Sequence, residues 1–305
     1  MNYRFQKTIV TSRFTLPVVC LLGAATWLLP YGESTLSERL AGICASGIVV
    51  YFMAELNNRN ALLRISSRII SSLTALLLSV IVPLHAFQPA HLVVVLVVLS
   101  RFAFFNTYQN PSPLVSFLAY LPLALASFVF PHVLLLFPVY WLCQAYMRGM
   151  SFKCLLASML SVVAPYWLWF GTLLLFHRYD SIDEIAIRLT TIEPPDYAGI
   201  TNWQIGEFVY VFAILTVGIV DFLFSSHKDK TRPRILYQIV CVHAISLIAL
   251  LGCQPQYYYT ILPLLVADTA IMGGRFVAHS YNRLSHVFCI VMAVAGLALL
   301  LTAFY

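Results

Sequence analysis

Apolar residues fall in long runs that alternate with short polar breaks from one end of the chain to the other. A membrane-crossing helix needs about 20 predominantly apolar residues, with a range of roughly 17–25. Runs of that length occupy residues 14–30, 38–54, 65–84, 90–108, 113–129, 131–147, 154–176, 206–224, 235–252, 257–274 and 285–304. The pattern predicts an all-α fold, a polytopic transmembrane helical bundle of about eleven spans. Only Phe130, Pro131 and His132 separate the fifth run from the sixth, so those spans require a tight turn. The longest break, 177–207, contains Ser181-Ile-Asp-Glu184, a capping box, with Ile182, Ile185 and Leu189 at helical spacing and then Pro194 and Pro195. This predicts a short interfacial helix in an outer-face loop, either a lid over an outward cavity or a plain connection with an anchor. No break is long enough for a soluble domain, so residues 1–305 read as a single integral membrane domain.

The densest polar break is 55–68. Arg59, Arg64 and Arg68 stand there with Asn57, Asn58 and Asn60, where one helix must end and the next turn back. Charge then orients the bundle. With the N-terminus cytoplasmic, fifteen of the 18 Lys and Arg residues fall on the inner side, and only Arg39, Arg178 and Arg188 fall outside. That asymmetry is the positive-inside pattern, and it puts Tyr305 at the C-terminus on the outer side. Acidic residues, among them Glu33, Glu38, Asp196 and Glu207, gather on the outer side. Arg4, Lys7 and Arg13 precede the first run as in a signal peptide. The run is long and lacks a small-x-small cleavage site, which predicts an uncleaved first span.

Composition agrees with lipid as the solvent. The 305 residues are 61% hydrophobic and 10% charged, against about 25% charged in a soluble domain. The formal net charge of +6 comes from residues scattered singly, with no basic run interleaved with aromatics, so nucleic acid is not a predicted partner. Seven cysteines form no Cys-x-x-Cys and lie mostly in apolar runs, which predicts neither a disulfide framework nor a metal site. No glycine loop for phosphate and no nucleophile elbow is present, so no cofactor is expected. Tyr166, Trp167, Trp169 and Tyr257 to Tyr259 stand at span ends, as belt residues or as stacking surfaces for carbohydrate. Pro138, Pro165 and Pro263 predict kinks whose freed backbone groups need partners inside the bundle.

Two ionisable residues lie deep in apolar runs, where each is costly without a partner. His243 is nine residues beyond Arg234, and Asp268 is seven before Arg275. At 1.5 Å per residue both sit roughly 10–14 Å from the inner boundary on successive antiparallel spans, so a contact is predicted. Such a pair serves as a catalytic or proton-relaying site, or as a hydrogen bond between helices. The second candidate is an anion site. Glu55 and Arg59 are one turn apart, as are Arg64 and Arg68, and guanidinium forks bind phosphate bidentately. With Arg101 from the next inner boundary, they form a candidate substrate-binding set; the alternative is a positive-inside loop with asparagine caps. Asp221 reads as interfacial. Glu33 and Glu38 occupy the first outer loop, where membrane glycosyltransferases that use polyprenyl-phosphate sugars place an acid. The loop here is only a few residues long, however, and lacks a convincing Asp-x-Asp.

Three stretches carry a family likeness: Glu55-Leu-Asn-Asn-Arg-Asn-Ala-Leu-Leu-Arg64, Ser151-Phe-Lys-Cys-Leu-Leu-Ala-Ser with Ala164-Pro-Tyr-Trp167, and Gln254-Pro-Gln-Tyr-Tyr-Tyr259 with Leu262-Pro263. Together they resemble an uncharacterised family of multi-pass inner-membrane proteins from Bacteroidota. The resemblance implies a bacterial inner (cytoplasmic) membrane location and assigns no activity or site residue. Three functions remain open. One is envelope biogenesis on a polyprenyl-phosphate or other lipid-linked phosphate substrate, as a glycosyltransferase-like enzyme or a carrier. The second is secondary transport through His243 and Asp268. The third is a non-catalytic role in a membrane complex, with protein partners unspecified.

Overall fold

A computed structural model describes residues 10–29, 34–63, 65, 67–177, 194–280 and 282–303. Among these the fold is all-α, with no strand. The helices are α1 (Thr15–Leu28), α2 (Leu36–Asn60), α3 (Ile69–Val80), α4 (Pro89–Phe105), α5 (Pro113–Ala126), α6 (Phe137–Tyr146), α7 (Phe152–Leu175), α8 (Asn202–Ser225), α9 (Thr231–Cys253), α10 (Tyr258–His279) and α11 (Arg283–Ala303). Each falls on one predicted run. Six helical segments are long and apolar enough to cross a membrane: Leu36–Asn60, Phe152–Leu175, Asn202–Lys228, Thr231–Cys253, Pro255–His279 and Ser285–Thr302. The interfacial helix predicted near 181–189 lies outside the described residues.

Local chemistry sets the helix ends. Thr35 caps α2, accepting from the Glu38 amide while the Glu38 carboxylate accepts from the Thr35 amide. Thr201 and Gln204 form the same box at α8. Together these satisfy amides that the first helical turn leaves open. At its other end α2 stops at Ala61, which takes the left-handed conformation (φ 46°).

Two predicted spans are not continuous α-helices. The 131–147 run forms a 3-10 segment, Pro131–Leu136, and then the ten-residue α6. Pro138 lies in the first turn of α6, where no intrahelical amide bond is lost. The 65–84 run yields the twelve-residue α3 followed by a 3-10 turn, Val82–His85. Pro122, Pro165 and Pro263 do lie inside helices.

The chain divides into two compact units. The first takes residues 1–91 and 197–305, and the second takes 92–196. In the second unit α5 packs on α7. Gln144 of α6 is its polar hub: it accepts from the Tyr120 hydroxyl (3.0 Å) and donates to Ser116 Oγ (2.7 Å) and the Gly149 carbonyl (2.9 Å). In the first unit α10 is central, packed by α3, α8 and α9, with α1, α2 and α11 outside α3 and α8. Residues 261–276 of α10 are all buried, Asp268, Thr269 and Arg275 among them. The outer helices show the reverse. On α11, Val287, Val291, Val294 and Leu297 are each more than half exposed, a surface that lipid covers and water would not.

Candidate functional site

Two buried ionisable groups of the first unit, Asp268 and Arg275, lie on one face of α10. Asp268, Met272 and Arg275 recur at i, i+4 and i+7, so Asp268 and Arg275 stand roughly 10 Å apart along the axis. Asp268 meets α9: its Oδ2 lies 2.6 Å from His243 Nδ1, and the two side chains are 0% and 4% exposed. With Asp268 ionised, the imidazole donates. Between the two charged levels, Cys241 Sγ lies 4.0 Å from Met272 Sδ.

Arg275 forms the second level and is 1% exposed. Its Nη1 donates to Asp221 Oδ2 (2.7 Å). Its Nη2 and Nε donate to Asp229 Oδ2 (2.6 and 3.1 Å), and Nη2 also reaches Ser225 Oγ (2.9 Å). The guanidinium sits 5.1 Å from the Phe222 ring centre and 5.4 Å from that of Tyr237. A buried arginine is tolerable only with its donors and charge satisfied, and two carboxylates and two aromatic faces provide that. Close helix approach makes the geometry available. A Cβ on Gly218 of α8 would lie 2.7 Å from the Met272 carbonyl carbon, so only glycine lets α8 bring Asp221 to Arg275.

The polar island closes the same end of the unit. Asn57 is buried, donating to the Ser67 carbonyl (3.1 Å) and accepting from the Leu63 amide (3.3 Å). Asn60 is buried too, donating to the Leu56 carbonyl (3.0 Å) and accepting from Arg232 Nη2 (3.3 Å). Tyr237 donates to the Leu62 carbonyl (3.0 Å). These asparagines hold the turn from α2 to α3. The arginines differ among themselves. Arg59 is 66% exposed and pairs with Glu55 (2.7 Å). Arg68 is exposed at the start of α3. Arg101 is buried and belongs to α4 in the second unit. Arg64 lies outside the described residues.

Asp221, read as interfacial, is a partner of Arg275; Asp229 and Arg275 were not singled out as site residues by the sequence. Asp221 and Arg275 each sit near an inner span end, where a charge is ordinary. One signal was present: Arg275 follows Gly273 and Gly274 and precedes Phe276 and Val277, with no polar break around it. Glu207 was read only as one of the outer-side acids. It is 0% exposed and accepts from Trp203 Nε1 (3.0 Å). Tyr258, predicted as a belt residue, is buried and donates to the Gln204 carbonyl (2.8 Å). Trp167 stands 70% exposed, as a belt residue does. Among the described residues, no three His, Cys, Asp or Glu side chains converge as metal ligands.

Fold and site together define an all-α protein of membrane type with an ionic column on its central helix. Compared with family models, curated proteins and solved structures, the chain matches none.

Proposed function

We propose that this protein is a proton-coupled secondary transporter of a bacterial inner membrane, with His243 and Asp268 as its proton-carrying pair. The observation that carries this reading is the 2.6 Å contact between two side chains almost without exposure, on a fully packed central helix. A carboxylate at such depth is costly and is typically kept for proton or substrate movement. Imidazole is suited to pass a proton at physiological pH. Protonation of Asp268 removes the charge that holds His243, so loading and release of a proton would alter the α9–α10 contact. Eleven crossings with a cytoplasmic N-terminus and an outer C-terminus belong to the same proposal, supported by the fifteen inner basic residues.

The test is substrate-driven proton current in liposomes holding the full chain, screened over sugars, amino acids and organic acids. Wild type should give a current with one class. Asp268→Asn, which keeps the shape and removes the ionisable group, should abolish it while folding normally. Equal currents from a folded Asp268→Asn protein would sink the proposal.

A second reading, handling of a lipid-linked phosphate in envelope biogenesis, is favoured by the exposure of Arg59 and Arg68 where α2 ends and α3 begins.

A further inference from the structure

An apolar cavity of about 270 Å³ lies among α3, α8, α10 and α11 of the first unit. Leu73, Leu76, Phe276, Cys289 and Ala293 line it. The volume falls just under the roughly 300 Å³ at which pockets for whole small ligands begin. It suits part of a hydrocarbon chain better than a polar solute. The outward face of α11 beside it is exposed and apolar, so the cavity lies at a lipid-facing surface.

Two arginines precede the helix segments that line this cavity. His286 lines it, three residues beyond Arg283, the first residue of α11. Leu73 lies five residues beyond Arg68, which precedes α3. Arg68 and Arg283 are both exposed. Three acidic side chains of the unit are already committed, Glu55 to Arg59 and Asp221 and Asp229 to Arg275. Arg68 and Arg283 stand at the starts of α3 and α11, and helix N-termini favour anions. An apolar slot whose lining helices begin at exposed arginines is complementary to an amphiphile with an anionic head.

We infer that this groove holds one acyl chain of an anionic phospholipid from the surrounding bilayer, with its phosphate held by Arg68 and Arg283. The site is independent of the proton-coupled reading, because none of its residues belongs to the ionic column. It also differs from the lipid-linked substrate reading, because the phospholipid is a resident ligand that is not consumed.

Native mass spectrometry of the full chain tests it, after incubation with phosphatidylglycerol, phosphatidylcholine of the same chains, or a polyprenyl phosphate. One phosphatidylglycerol should remain per chain, preferred at least tenfold over phosphatidylcholine. Ala293→Phe, which fills the slot, should lose it; Cys289→Leu serves if that variant does not fold. Arg68→Gln with Arg283→Gln should reduce the preference at least fivefold while the chain still binds. Equal retention of the two phospholipids, or retention unchanged by filling the slot, overturns the proposal. Preferential binding of the polyprenyl phosphate overturns it in favour of a substrate site, and a dimer without lipid overturns it in favour of a second copy. Proton currents through His243 and Asp268 are read separately, so neither failure implies the other.

Discussion

Two arginines show how far burial separates residues of the same type. Arg275 is 1% exposed and balances Asp221 and Asp229; Arg59 is 66% exposed and pairs with Glu55 across one turn. Removing one partner of a buried ion pair leaves uncompensated charge and costs about 3–5 kcal/mol, whereas an exposed pair is worth about 0–1 kcal/mol. Arg275→Met should therefore lower the unfolding temperature in detergent steeply, and Arg59→Ala should hardly move it. Similar melting for the two variants would show that the ionic column does not support the fold. The column was only half legible in the sequence. His243 and Asp268 announced themselves by depth, because each interrupts an apolar run far from its ends. Arg275 and Asp221 lie near span ends, where long side chains snorkel and a charge needs no explanation. Their pairing joins residues 54 apart in sequence, and the identity of one gives no hint of the other.

At the scale of elements, apolar runs located the helices well and their internal form poorly. A run apolar on every side has no periodicity, so 131–147 reads the same whether it is one helix or a 3-10 segment followed by α6. Helix contacts follow from small residues, and these can be tested individually. Gly218 abuts the α10 backbone, while a Cβ on Gly171 of α7 would meet nothing within 4 Å. Alanine is favoured over glycine inside a helix by about 1 kcal/mol. Gly171→Ala should thus be neutral or stabilising. Gly218→Ala should destabilise, because the gain is outweighed by forcing α8 away from α10 and stretching the Asp221–Arg275 contact. Thermal melts of the two variants in the same detergent compare them directly, and a stabilised Gly218→Ala protein would contradict the close approach.

The whole molecule was legible as a class from its composition alone, since 61% hydrophobic residues leave too little polar surface for water. Its division was half legible: 196/197 falls in the longest polar break, just after Pro194 and Pro195, whereas 91/92 lies inside α4, in an apolar run that gives no sign of a boundary. The proposed orientation is open to a direct measurement. Alkaline phosphatase fused at 196–200 should be active, and fused within 227–234 it should be inactive. The opposite pattern would invert the bundle.

The placement of Arg275 on α10, after both of its counter-charges, also has a consequence for biosynthesis. Its two counter-charges, on α8 and in the turn before α9, leave the ribosome first. A nascent chain that has delivered α8 and α9 to the membrane carries two carboxylates whose cation has not yet been made. Arrival of α10 neutralises them and seats Asp268 against His243 in one step. The ionic column therefore waits for α10, and a chain stopped short of it leaves Asp221 and Asp229 without the Arg275 cation.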